Sequence, residues 1–151
     1  MNSADTYVSP QAETFETAPI TLPYIEVKKP RRNLRSAKAA GSWMEKITAE
    51  FLAFRLAEDR IERRTKNGSK DRGDITGVKT IRGGRVVIEC KNTSRDNLPG
   101  WIAEDEVERG NDDALLAVVV HKKRGSMNPA DQYVSMTLED FAVLLEGGVA
   151  L

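Results

Sequence analysis

The chain has 151 residues, 40% of them hydrophobic and 30% charged, with 23 Lys and Arg against 23 Asp and Glu. That length suits one compact domain with room for a tail, and no run of about 18 apolar residues is there to cross a membrane. A single cysteine, Cys90, excludes an internal disulfide and a zinc site built on several cysteines, which makes a reducing cytoplasm the expected setting.

The zero net charge hides a segregation along the chain. Residues 1–27 hold four acids and no Lys or Arg, residues 28–95 hold 19 basic against eight acidic residues, and residues 96–151 hold four against eleven. A basic middle between acidic ends is compatible with a surface for a polyanion such as nucleic acid, and equally with a solvated face.

Residues 1 to about 35 show no period, contain Pro10, Pro19, Pro23 and Pro30, and lack the basic-then-apolar pattern of a secretory signal. They are expected to form a mobile N-terminal tail, in which Thr21–Val27 could dock as a short extended segment. Lys28–Lys38, with six basic residues and no acid, is either a DNA-contacting arm or a solvated linker. The domain proper is expected over residues 36–151.

Ser42 followed three residues later by Glu45 reads as a capping box, and Met44, Ile47, Phe51 and Phe54 recur at helical spacing, so a first helix is expected to run from there to Glu58 or Asp59. Arg60–Asn67 holds a short edge strand on this reading, and Asn67-Gly68-Ser69 a turn. Gly83-Gly84 then separates two strand-like runs as a hairpin loop. In Leu98–Asn111, Pro99 marks a helix start and Gly110 a C-cap, with Trp101 or Ile102 and Val107 as the buried contacts. Ala114–His121 is a continuous apolar run, as in a parallel strand buried on both faces, and the preceding helix is its crossover. A last strand over Tyr133–Met136 and a helix over Leu138–Leu145, capped by Thr137 and stopped by Gly147-Gly148, complete the chain.

The hairpin suggests chemistry. With Gly83 and Gly84 as its two loop residues, Asp74, Thr76, Glu89 and Lys91 project from one side of the sheet, and Ile88 and Cys90 from the other. This register leaves Asp74 roughly 13 Å from the partner of Glu89. A bulge, or a loop centred two residues earlier, would bring Asp74 opposite Glu89 on the same face. Two adjacent carboxylates stay ionised at neutral pH only with positive charge between them, and Mg²⁺ or Mn²⁺ suits such oxygen ligands. Lys91 would then orient a water or balance charge on phosphate, with the Cys90 backbone carbonyl as a further ligand.

Gly73-Asp74-Ile75, with Glu89-Cys90-Lys91 fifteen residues after Asp74, resembles the PD-(D/E)XK nuclease superfamily, although Gly73 stands where a proline is usual. The branch with that variant resembles Holliday-junction resolvases, which carry a glutamate in the first helix; Glu45 matches it. The pattern, over about residues 36–125, is most similar to small phage-encoded resolvases. The resemblance implies an α/β fold with a restriction-endonuclease-like core, in the order α-β-β-β-α-β with a central mixed sheet flanked by helices. It implies a Mg²⁺- or Mn²⁺-dependent endonuclease acting on branched DNA, a homodimer, in the host cytoplasm if phage-encoded. Glu45, Asp74, Glu89 and Lys91 would be its catalytic residues, and Asp74, Glu89, Glu45 and the Cys90 carbonyl its metal ligands. Two alternatives stand beside it: a repair- or restriction-type nuclease on duplex, flaps or ends, and a non-catalytic branched-DNA-binding module.

Arg63, Arg64, Lys66, Lys70 and Arg72, just before Asp74, would border the DNA, and their phosphate contacts would position it without reading sequence. Lys122, Lys123 and Arg124, at the end of the last core strand, could grip phosphate or form a solvated turn. Each site residue also has a structural reading: Glu45 as the other half of the Ser42 cap, Asp74 as a turn residue, Glu89 and Lys91 as a surface pair. His121 reads as structural, Cys90 as a small core residue, and Trp43 and Trp101 as core or dimer contacts. Glu104, on the helix where the superfamily sometimes places a further polar site residue, reads with Asp105, Glu106 and Glu108 as a solvated face.

Overall fold

The computed structural model describes residues 34–65 and 71–148. It is a mixed α/β domain: a five-stranded sheet with three α-helices. Helix α1 spans Leu34–Leu56, followed by strands β1 (Glu62–Arg63), β2 (Ile75–Thr76) and β3 (Val86–Lys91). Helix α2 (Leu98–Asp112) leads to β4 (Leu116–His121), a 3-10 turn at Pro129–Asp131, β5 (Tyr133–Ser135) and α3 (Leu138–Leu145). The strands lie side by side in chain order, β3 and β4 parallel and every other pair antiparallel. Among the described residues no helix is long and apolar enough to cross a membrane.

The sheet centre follows from its composition. β3 and β4 pair over six residues from Val86–Leu116 to Lys91–His121, and β4 is buried throughout. Alternate side chains divide between two layers. Ile75, Ile88, Cys90, Leu116, Val118 and Val120 pack with Met44, Ile47 and Ala49 of α1 in one apolar cluster. Val87, Ala117 and Val119 are buried on the opposite side, where Trp101 of α2 lies against His121 with ring centroids 5.7 Å apart.

Helix α1 departs from the expected boundaries. Gly41 and Ser42 lie inside it, so no capping box forms at Ser42, and Leu34 and Arg35 of the expected tail are helical. The Ala-rich stretch Ser36–Ala40 has strong enough helix propensity to carry the helix through one glycine, whose cost is about 1 kcal/mol. The helix stops at Leu56 because Ala57 turns left-handed (φ 49°). Met44 and Ile47 are buried as expected, but Phe54 is exposed.

The hairpin has neither the two-residue loop nor the register expected of it. Thr80 and Gly84 close a five-residue loop: Gly83 N–H donates to Thr80 O (2.9 Å) and Thr80 N–H to Gly84 O (2.8 Å). Lys79 pairs with Arg85, whereas Ile75 pairs with Ile88, so β2 carries one extra residue between these pairs. Ile75 and Val78, three apart, both face α1, and Gly77 between them has φ 85°. That is a bulge, and it sets Asp74 beside Glu89. A Cβ on Gly77 would lie 2.2 Å from Arg60 O and 2.7 Å from Arg60 C. Gly77→Ala is therefore expected to cost about 3 kcal/mol, from backbone strain plus overpacking. Urea unfolding would show it, and a loss below about 1 kcal/mol would argue against this bulge.

Helix α2 begins as expected, with Pro99 in its first turn, and Asn97 accepts the Gly100 N–H. It ends at left-handed Asp113 (φ 49°) rather than at Gly110, which is helical. Helix α3 matches its expected span: Thr137 accepts the Asp140 N–H at 3.0 Å, and Gly147 and Gly148 both turn to positive φ beyond it.

Candidate functional site

Asp74 enters the site through backbone geometry. Gly73 before it has φ 82°, which a proline ring, fixed near −65°, cannot adopt. A Cβ at Gly73 would also meet Val87 Cγ1 at 2.9 Å and Ile88 O at 3.0 Å. Glycine rather than proline at this position thus fits the local chain path. The Asp74 N–H donates to Ile88 O (2.8 Å), its carbonyl accepts from Arg64 N (2.7 Å), and its carboxylate Oδ2 accepts the Cys90 N–H (2.9 Å).

Asp74 and Glu89 meet: the Ile75–Ile88 pairing sets them opposite each other, and each carboxyl acts on the other. Burial, and then the charge of Glu89, push Asp74 up to about 7. Burial, and then Glu108, push Glu89 up to about 6. Lys91 points to the same side of the sheet, its Nζ 3.0 Å from Glu89 Oε1 and 2.8 Å from Glu104 Oε2. Burial alone would lower this ammonium, but its hydrogen bonds to Glu104 and Glu89 prevail and raise it. Lys91 is thus held as a cation between two carboxylates.

Other expected site residues are placed differently. Glu45 is near enough to act on Asp74 by charge, yet its Oε2 is bound by Arg63 Nε (3.0 Å) and Nη2 (2.5 Å). The contact seen at Cys90 is made by its N–H, given to Asp74; its thiol is buried, and burial pushes it up. Among the described residues no three His, Cys, Asp or Glu side chains form a ready-made ion site. The four-ligand set of Asp74, Glu89, Glu45 and the Cys90 carbonyl is therefore not assembled as it stands.

Helix α2 overturns the expected solvated face. Val107, expected inside, is 64% exposed, while Asp105 and Glu108 are 1% and 6% exposed. With Trp101 they form the buried stripe of the helix. Asp105 Oδ1 and Glu108 Oε2 are buried without a hydrogen-bond partner. Burial, and then Glu89, raise Asp105 to about 8; burial, and then Asp71, raise Glu108 to about 7. Glu108 lies close enough to Glu89 to act on it by charge. The site is thus richer in acids than its motif, and α2 supplies the surplus. Their spacing at 101, 105 and 108 is helical, but apolar Val107 masked it.

The basic residues separate into groups. Arg63 is on Glu45, and Arg64 grips Asp112 through two bonds of 3.2 and 3.0 Å. Arg64, Arg72 and Arg85 line a pocket of about 360 Å³, with Asp112 on its wall; Arg85 was not among the expected DNA contacts. Lys66 and Lys70 lie outside the described residues. Lys122 turns inward, its Nζ on the carbonyls of Lys123 (2.6 Å) and Ser126 and 5.7 Å from the centre of the Trp43 ring. Arg124 holds Ser94 O. The Lys123 N–H donates to Gln132 Oε1. All three residues therefore help to tie down the loops around the end of β4. His121 is structural as expected: buried between Trp101 and Tyr133, its Nε2 2.9 Å from Ser135 Oγ.

No protein-family model matches this chain, and no curated protein or solved structure matches it either.

Proposed function

We propose that the chain is a metal-dependent endonuclease of the PD-(D/E)XK type, with a restriction-endonuclease-like core, and that it resolves four-way DNA junctions by paired nicks. The observation that carries this reading is the meeting of Asp74 and Glu89, fifteen residues apart, with Lys91 on the same side of the sheet. Three features brought together by a bulge and a glycine-specific turn make a solvated strand end a poor account of them.

The donor set fits a hard divalent cation. The carboxyls are buried and crowded enough to be pushed towards their protonated forms, which is the state that positive charge between them would relieve. Asp74 and Glu89 would hold the cation. Such a cation would supply Lewis-acid polarisation of a phosphoryl oxygen and a more acidic bound water. The Cys90 N–H fixes the Asp74 carboxylate, and Glu104 and Glu89 fix the Lys91 ammonium beside the place of phosphate. Lys91 then balances charge as it grows on the phosphate oxygens. Arg64, Arg72 and Arg85 are suited to contact the DNA backbone at a distance from the reacting atoms.

Paired nicks require two active sites facing one junction, hence a homodimer. Tyr133 and Val134 on the outer strand β5, and Leu138, Phe141 and Leu145 on α3, are exposed apolar side chains that a second copy would cover. A non-catalytic branched-DNA-binding module is the second reading, favoured by the hold of Arg63 on Glu45 and by the lack of a ready-made ion site among the described residues.

One experiment separates these. The purified full chain, its mass fixed by light scattering, meets a four-way junction, a flap and a linear duplex with Mg²⁺, Mn²⁺ or chelator. Paired symmetric nicks confined to the junction, lost with chelator, and a two-chain mass are expected. Cleavage of flap or duplex instead would move the function to repair or restriction. Tight junction binding with no cleavage in any metal would favour the binding module.

A further inference from the structure

Helix α2 places a carboxylate against the site that neither the motif nor the first helix supplies. Glu108 is 6% exposed, sits on the buried stripe of α2 with Trp101 and Asp105, and acts by charge on Glu89. Asp71, Asp105 and Asp74 act on it in turn. Its Oε2 is buried and has no partner. An unpaired carboxylate oxygen in a protein interior costs about 1–3 kcal/mol or more, so a helix that turns Val107 outward to bury Glu108 needs a reason. An apolar residue at 108 and an acid at 107 would be the cheaper arrangement.

We propose that Glu108 is the third carboxylate of the divalent-cation site, in the place that the sequence offered to Glu45. The inference rests on the nuclease-type site proposed above. Glu45 already has a counter-charge, since Arg63 binds its Oε2 twice, and a cation gains little from a carboxylate so neutralised. Glu108 has none of that kind: its Oε2 has no partner, and the charges acting on it are those of Asp71, Asp105 and Asp74, all acids. The group draws one acid from each of three elements: Asp74 ahead of β2, Glu89 in β3 and Glu108 in α2. As it stands no three of these acids form a ready-made ion site, and a bound cation would draw the crowded carboxyls together. A hard ion of the Mg²⁺ or Mn²⁺ class takes such an all-oxygen set and keeps open positions for water and phosphate. Asp105, three residues earlier and buried on the same stripe, and Asp71 are further acids that act on Glu108 by charge.

The test is Mn²⁺ binding to the full-length chain without DNA, by calorimetry and by loss of the free-Mn²⁺ spin-resonance signal. Glu108→Gln is expected to weaken Mn²⁺ by about tenfold or more and Glu45→Gln by less than about threefold, as for loss of a site partner against loss of a remote one. Melting curves in chelator show whether each variant is folded. Should Glu108→Gln melt well below wild type, Glu108→Asp keeps the charge and draws it back by one methylene. It is expected to weaken Mn²⁺ by at least about threefold. Unchanged affinity in a folded Glu108 variant, or a loss in Glu45→Gln as large as in Glu108→Gln, overturns the assignment. If Mn²⁺ binds and Asp74→Asn abolishes binding while Glu108 variants do not, only Glu108 leaves the set. If wild type binds no Mn²⁺, or Asp74→Asn binds as well as wild type, the cation site itself falls.

Discussion

Asp74→Asn and Glu89→Gln are each expected to lower junction cleavage by about 10³-fold or more, while junction binding in chelator stays within about threefold of wild type. Both changes are nearly isosteric. The amide that replaces the Asp74 carboxylate would still offer an oxygen to the Cys90 N–H, so the bulge and the strand pairing should survive. What each removes is a carboxyl from the place where Asp74 and Glu89 meet. Lys91→Ala is expected to cost as much activity, for a different reason: it deletes the ammonium held between Glu89 and Glu104. It leaves the half-buried Glu89 without its counter-ion, so a stability loss of up to about 3 kcal/mol is expected with it. Its cleavage should therefore be read well below its melting temperature. Any of the three cutting at the wild-type rate would remove that residue from the site.

The parts of this fold that the sequence declares are those governed by a single strong pattern. Val86–Ile88 and Leu116–Val120 are apolar without interruption, and they became the parallel centre of the sheet because only burial on both faces suits such runs. Leu138–Leu145 declared itself through its cap and its glycines. The face shared by Asp74, Glu89 and Lys91 was legible because a period of two is insensitive to the exact loop. The register was not, because it turns on one extra residue at Gly77, and nothing in Thr76-Gly77-Val78 distinguishes a bulge from a strand glycine. Ser42 misled because a good capping residue is also tolerated mid-helix when alanines precede it. The largest surprise was α2. Glu104-Asp105-Glu106-Val107-Glu108 has the composition of a solvated face, and the rule that carboxylates lie outside placed Val107 in the core. Such a rule fails where buried charge has a task, which is why the inverted face of α2 bears on function rather than on packing alone.

The same inversion dictates an unusual pH dependence. Four carboxyls are raised in the folded protein, burial first and neighbouring acids second: Asp74 to about 7, Glu89 to about 6, Asp105 to about 8 and Glu108 to about 7. In the unfolded chain they titrate at about 4. Between about pH 4 and pH 8 the folded state therefore binds more protons than the unfolded state, and stability must fall as pH rises. A tenfold difference in proton affinity between the two states is worth about 1.4 kcal/mol, so Glu89 alone, raised from 4.5 to about 6, supplies about 2 kcal/mol across the window. His121 opposes this weakly: burial lowers it, so it loses stability as pH falls below its unfolded value near 6.5. The metal-free protein is thus expected to be most stable near pH 5 and at least about 2 kcal/mol less stable at pH 8, the reverse of acid denaturation driven by paired carboxylates. Urea unfolding in chelator from pH 5 to pH 8 measures it. Saturating Mg²⁺ or Mn²⁺ at pH 8 should recover much of the loss, because a ligand that binds only the folded state adds RT ln(1 + [L]/Kd). A profile that rises or stays flat from pH 5 to pH 8 in chelator would mean that these acids are already ionised and paired. A profile that falls but does not respond to divalent cation would keep the buried acids and deny them a metal.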